Sequence, residues 1–167
     1  LKLSIISANG TEQIVGLAYP SDFIGRPFGA QSGQSVTALV DSTVCIFPRR
    51  AFDAFAESHS HLSQALLRRT LDDLDRARQW MMLLARKSAS ARVASLLLDI
   101  WQRSRVTNDR AVRLPLSRQQ MGDLLGLVIE TVSRSITALR EQGVVSLRGG
   151  RGLIVEDPAA LRAIAGD

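Results

Sequence analysis

Over the first 47 residues, apolar and polar positions tend to alternate in steps of two. Leu3, Ile5 and Ser7 alternate with Lys2, Ser4 and Ile6, and the dipeptide Asn9-Gly10 that follows is a hairpin signal. A second strand is expected over 13–19, broken by Pro20-Ser21-Asp22. Residues 25–33 are rich in Gly, Pro, Gln and Ser and predict a loop. Residues 35–47 carry Val36, Val40, Val44 and Ile46 at even spacing and predict one long strand, ended by Pro48. Three or four strands with tight turns make residues 1–57 part of a small β-barrel or sandwich of the jelly-roll kind.

The period changes after Pro48. A short helix is expected over 49–57, then a long one over 61–86. In the long one, Leu67, Leu71, Leu74, Arg78, Met81 and Ala85 recur at alternating steps of four and three, with Leu84 beside the end of the row. That is an a/d seam of about three heptads. Arg69–Asp73 and Asp72–Arg76 are i,i+4 pairs that support its solvent face. The seam has no obvious partner helix in this chain, so residues 58–87 are assigned as a dimerisation helix facing a parallel copy. The alternative is packing against its own domain.

Residues 88–167 form a third unit. A helix over 88–104 presents Val93, Leu96, Leu97, Ile100 and Trp101 on one face, Thr107-Asn108-Asp109-Arg110 predicts a turn, and Val112, Leu114 and Leu116 alternate as a short strand around Pro115. Ser117 can cap a helix containing Met121, Leu124 and Leu125. Gly126-Leu127 supplies a tight turn. A second helix over 128–142 turns Val132, Ile136 and Leu139 inward and is stopped by Gly143. Helix, glycine turn, helix is the helix-turn-helix layout. Residues 144–147 and 153–155, around Gly149-Gly150-Arg151-Gly152, predict a two-stranded wing. Asp157-Pro158 opens a last helix through Ile164. The fold class is therefore α+β: a partial barrel, a long helix and a winged helix-turn-helix.

Charge sharpens this picture. The chain has 167 residues, and its net charge of +5 comes from 21 Lys+Arg against 16 Asp+Glu. Residues 1–55 balance at four of each sign, so the whole excess lies behind them. All but two of the basic residues are Arg, the side chain suited to bidentate contact with phosphate and guanine. A neutral front and a basic rear point to a polyanion as partner of the rear. No apolar stretch approaches the roughly 20 residues of a membrane-spanning helix, and the start has no apolar leader core. One cysteine, Cys45, and two histidines, His59 and His61, exclude a disulfide framework or a multi-cysteine zinc site within this chain. The chain opens at Leu1 inside a strand pattern, which predicts a fragment without its N-terminal part.

The candidate chemistry sits at the start of the second helix of the pair. Glu130, Ser133 and Arg134 fall at i, i+3 and i+4, on one helical face. Arg bonds guanine O6 and N7, Glu accepts from an exocyclic amino group, and Ser reaches a base edge or a thymine methyl. Thr131 is one step round, near the helix N-terminus, where a phosphate binds. Ser117, Arg148 and Arg151 complete the candidate phosphate contacts. The alternative for Glu130 and Arg134 is an ordinary i,i+4 ion pair on a solvated helix.

This layout resembles the superfamily of the cyclic-AMP receptor protein and the fumarate–nitrate reduction regulator, over essentially the whole chain. Glu130-Thr131-Val132-Ser133-Arg134 after Gly126-Leu127 is similar to the recognition signature of the fumarate–nitrate branch. The resemblance implies a cytoplasmic bacterial transcription regulator, a homodimer, binding double-stranded DNA at a palindrome of the type TTGAT-N4-ATCAA. It also implies RNA polymerase as a partner, and the turn at Ser21-Asp22 resembles a polymerase-contacting turn, though plain surface explains a short polar turn as well. Cyclic-nucleotide members carry a Glu just after the Phe-Gly-type turn and an Arg further on. Here Arg26 follows Phe23-Ile24-Gly25, and residues 31–37 hold no Arg, so cyclic AMP is not expected.

Cys45, in Ser42-Thr43-Val44-Cys45-Ile46-Phe47-Pro48, resembles the barrel-strand cysteine of oxygen-sensing members, where it is one of four ligands of a [4Fe–4S] cluster. The other three are absent from this chain, so the cluster is expected only in a full-length protein. A small buried hydrophobe on a strand is the alternative; cofactor-free members share the same recognition helix, and a regulator of the same superfamily with another effector, haem or nitric oxide, is the further alternative. An enzyme would need a convergent catalytic set, which is not in evidence. A purely structural dimer module would leave the Glu130, Ser133, Arg134 face unexplained.

Overall fold

The computed structural model describes residues 1–26, 32–104 and 111–166. The turn expected over 107–110 and the middle of the 25–33 loop lie outside them. The chain begins with an antiparallel sheet, β1 (Lys2–Ile6), β2 (Glu12–Leu17) and β3 (Ser35–Thr37), in the order β2-β1-β3. Asn9-Gly10 makes the expected hairpin, with Gly10 at φ +82° and the Asn9 side chain accepting from the Thr11 backbone. The simple alternation of β1 does not survive. A register shift between Leu3 and Ser4 turns Ser4 fully inward, where its hydroxyl donates to Glu12 at 2.7 Å, and leaves Ile5 and Ile6 exposed.

The long strand expected over 35–47 is corrected to three residues. Val36 pairs with Leu3 across the free edge of β1, but past Thr37 no described strand offers a further edge. Strand-prone residues without a partner leave their backbone groups unpaired, so the chain runs on irregularly to Pro48. Cys45 lies in that irregular stretch and is exposed, not on a strand and not buried.

Helix α1 (Arg49–Ser58) leads to α2 (Ser60–Arg86), 27 residues long. Leu67, Leu71, Leu74, Arg78, Met81 and Ala85 all lie exposed along α2, whereas Leu83 turns into the core. Arg69 pairs with Asp73 at 3.5 Å as expected, but Arg76 pairs with Asp73 rather than Asp72, and Arg78 with Asp75 at 3.1 Å.

Lys87 and Ser88 are extended and break α2 from α3 (Ala89–Arg103), which Ser88 caps. Helix α3 is the core of the rear unit. Val93, Ala94, Leu96, Leu97 and Ile100 have no exposure, and α3 packs on α4 (Arg118–Leu125), α5 (Ile129–Glu141) and α6 (Pro158–Ala165). A second sheet, in the order β4-β6-β5, joins β4 (Val112–Arg113), β5 (Val145–Arg148) and β6 (Gly152–Val155). The strand expected through Leu116 stops before Pro115, which has no N–H to pair. The first sheet is tied to the rear unit, because β2 packs on α4, where Gln13 donates to the Asp123 carbonyl at 2.6 Å.

Candidate nucleic-acid interface

The approach to α5 is set by local backbone chemistry. Ser117 and Gln120 form a capping box: the Ser117 hydroxyl accepts from the Gln120 N–H at 3.1 Å, and the Gln120 amide oxygen accepts from the Ser117 N–H at 2.8 Å. The Ser117 hydroxyl proton is left to donate outward. Gly126 ends α4 in the left-handed conformation, φ +63°. A second glycine, Gly122, is as important, and the sequence reading did not single it out. The Leu127 N–H donates to the Gly122 carbonyl at 2.9 Å, and any Cβ on Gly122 would collide with the Leu127 carbonyl oxygen. Its sequence signal is a Gly inside a helical pattern four residues before the turn, which marks close backbone approach.

Gly122→Ala therefore tests the turn. Helix propensity alone favours Ala by about 1 kcal/mol. The obstacle is backbone and cannot rotate away, so overpacking costs more, about 1–3 kcal/mol. We expect a net lower melting temperature by calorimetry together with weaker DNA binding.

On α5, Val132, Ile136 and Leu139 are buried, and Glu130, Ser133 and Arg134 stand together on the exposed face. The ordinary Glu130–Arg134 ion pair does not form. Arg134 Nη2 donates instead to Thr131 Oγ1 at 3.3 Å, and Glu130 has no ion-pair partner among the described residues. Thr131 is half-buried, so the structure makes it first a support for Arg134. Val128 and Ile129, which precede this face, are exposed apolar residues that were not among the sequence candidates. At the tip of a recognition helix such groups can meet thymine methyls.

The wing turns through Gly149 and Gly150, both at positive φ, 58° and 76°. Arg148 and Arg151 flank this turn and are exposed. Gly152 allows the hairpin to close, because a Cβ there would stand 2.8 Å from the Arg148 carbonyl oxygen. The wing is braced by β4, with the Leu114 N–H donating to the Arg151 carbonyl at 2.7 Å. Arg118, on the first turn of α4, is part-buried, and burial followed by the nearby Arg140 guanidinium lowers its basicity. A phosphate would relieve that repulsion.

Residues 91–164 match the Crp-like helix-turn-helix domain. The FixK nitrogen fixation regulation protein of Bradyrhizobium diazoefficiens is 36% identical over 99% of this chain and 70% of its own length. The chain belongs to the CRP/FNR family. It is also similar to the transcriptional activator protein FnrL of Cereibacter sphaeroides, 45% identical over 95% of this chain and 66% of FnrL. The chain thus spans about two thirds of the length of that relative. The solved structure of FixK2 from Bradyrhizobium japonicum superposes with a TM-score of 0.89 at 30% identity, covering 98% of this chain and 81% of that one. These matches bear out a regulator's fold rather than an enzyme's. No helix among the described residues is long and apolar enough to cross a membrane.

Cys45 is not on the α5 face: it lines a wide cleft that Val44, Ile46 and Asp22 also line. No group of three or more His, Cys, Asp or Glu suited to a metal exists among the described residues. One thiol does not hold a four-iron cluster, so this chain by itself does not fit that group. The turn at Ser21-Asp22 is not plain surface either. Ser21 takes φ +72° after Pro20, and Asp22 folds inward with its side chain 12% exposed.

Proposed function

We propose that this protein is a DNA-binding transcription regulator that grips a two-fold palindrome of the TTGAT-N4-ATCAA type as a homodimer. The observation that carries the proposal is the α5 face. Glu130, Ser133 and Arg134 project together from a helix whose opposite face is fully buried and whose start is fixed by a glycine-tight turn. A rigid helix bearing one Arg, one carboxylate and one hydroxyl suits direct reading of base edges in the major groove. Ser117 at the start of α4 and Arg148 and Arg151 on the wing take phosphates, and Thr131 supports the arginine. The exposed seam of α2 supplies the surface for a second copy. The names of the relatives, transcriptional activator and nitrogen fixation regulation protein, support the same reading. RNA polymerase is the proposed protein partner and the cytoplasm the site of action, as for a bacterial activator.

Binding to a duplex with the palindrome, alongside a scrambled duplex of equal length, tests this. We expect at least a 10³-fold preference at physiological salt, the lower range for specific over non-specific binding. Equal affinities would leave only a basic protein with a dimer helix.

A second reading concerns the effector. Cys45 is an exposed thiol with no disulfide partner, which leaves it available as one ligand of an iron–sulfur cluster completed by cysteines outside this chain. Anaerobic reconstitution of the full-length protein should give visible absorption that Cys45→Ala abolishes. A colourless protein that binds DNA equally with and without oxygen favours the cofactor-free alternative.

A further inference from the structure

The turn at residues 19–22 is a polar wedge between the two long helices. Asp22 accepts from Arg69 of α2 at 2.5 Å and from Arg103 of α3 at 2.8 and 3.0 Å. Its third partner is in its own turn, the Tyr19 N–H donating to Asp22 Oδ2 at 3.0 Å. The Arg103 guanidinium lies 4.2 Å from the centroid of the Tyr19 ring, and the Tyr19 hydroxyl donates to Asp99 of α3 at 2.8 Å. Burial pushes the Asp22 carboxyl up, but the Tyr19 N–H, Arg69 and Arg103 together hold it below the usual carboxylate range, so it stays charged. Burial, then Asp99, raises the Tyr19 hydroxyl well above its ordinary range, so it stays a donor.

The position of this knot matters more than its strength. Helices α2 and α3 are joined only by the extended residues Lys87 and Ser88. Arg92 braces the near side, donating to the Lys87 carbonyl at 3.0 Å and to the Leu125 carbonyl at the end of α4 at 3.2 Å. Arg69 and Arg103 lie far from the link, about five turns back along α2 and about four turns forward along α3. With a lever of ~22 Å, a rotation of about 10° at the link moves Arg103 by ~4 Å, more than any hydrogen bond tolerates. Because α5 packs on α3, a change in the angle between α3 and α2 carries α5 with it.

We propose that Asp22, seated by Tyr19, is a positioning residue that fixes the angle between the dimer helix and the DNA-binding unit, and so the half-site spacing the dimer accepts. This rests on the palindrome-binding homodimer proposed above. In a dimer, two α5 helices must meet two half-sites about one helical turn apart, and a change of angle in both copies changes their separation. The half-site bases are read by α5 alone and do not depend on the wedge.

The test uses the full-length protein and palindromes whose spacer runs from two to six base pairs. The parent should prefer one spacer by tenfold or more. Asp22→Asn keeps the shape but loses the charge, and should flatten that preference to within about threefold while leaving discrimination among half-site bases unchanged. Arg69→Gln, at a partly exposed position, should act in the same direction and carries the test if Asp22→Asn does not fold. A spacer preference as sharp in the folded variants as in the parent overturns the wedge. A parent that binds no palindrome over a scrambled duplex overturns instead the reading on which it rests.

Discussion

Arg134→Ala should lose the guanine of each half-site and leave the rest of the interface in place. One bidentate arginine–guanine contact is worth about 1–3 kcal/mol. A dimer makes it twice, so the cost is about 2–6 kcal/mol, or roughly 30-fold to more than 10⁴-fold in affinity. The geometry favours a value above the bottom of that range. Arg134 Nη2 donates to Thr131 Oγ1 at 3.3 Å on a helix with three buried anchors, which removes part of the side-chain freedom otherwise lost on binding. Fold should not change, because Arg134 is exposed and its side chain donates to Thr131 of its own helix turn. The signature is a loss of discrimination, measured as binding to operators varied at that guanine. Arg148→Ala and Arg151→Ala provide the contrast. They should weaken every duplex alike and reduce the slope of log affinity against log salt by about 1 for each phosphate no longer neutralised. An Arg134→Ala protein that still prefers guanine as strongly as the parent would move base reading to Glu130, Ser133 or the exposed Val128 and Ile129.

The elements that were legible in sequence are those set by local chemistry. Asn9-Gly10, Ser117, Gly143 and Asp157-Pro158 each fix a helix or hairpin end by what their own atoms do within four residues. Asp157 accepts from both Ala159 and Ala160 at 2.9 Å, and Gly143 takes φ +70° just past α5. The shared exposed face of Glu130, Ser133 and Arg134 was legible for the same reason, since i, i+3 and i+4 share a face on any α-helix. What failed was non-local. Residues 38–47 alternate like a strand, yet alternation is only a potential, and it needs a neighbouring edge that β1 offers for three residues alone. Ser4 is buried because Glu12 receives its hydroxyl across a shifted register. Asp22 has the sequence context of a polar surface residue, and its role depends on Arg69 and Arg103, which lie far from it and from each other in sequence. Gly122 was visible as a glycine but not as a point of close approach, because its neighbour is the backbone of a turn that only the fold brings back over it.

Leu74→Glu should dissociate the dimer without unfolding the chain. The two halves of that expectation come from one observation: Leu74, with Leu67, Leu71 and Met81, is between 44% and 70% exposed in the single chain. A side chain that its own fold leaves in water contributes little to that fold, so helicity and melting of the monomer should stay near the parent's. In a parallel pair the same leucine would be buried in both copies. Losing two buried leucines costs about 3–6 kcal/mol at 1.5–3 kcal/mol each, before the penalty of placing two carboxylates at the seam. That raises the dimer dissociation constant by roughly 10²-fold to 10⁴-fold. A monomer presents one recognition helix, so palindrome affinity should fall towards that of a single half-site, while base preference within the half-site persists. Leu83 supplies the control, because it is 7% exposed and packs into its own chain's core. Leu83→Ala should lower stability in monomer and dimer alike. Arg78 occupies a seam position yet pairs with Asp75, an exposed polar break in the apolar row of the kind that fixes register at some cost in stability. Light scattering with Leu74→Glu decides the matter: an unchanged dimer mass would place the contact between copies on another face of the molecule.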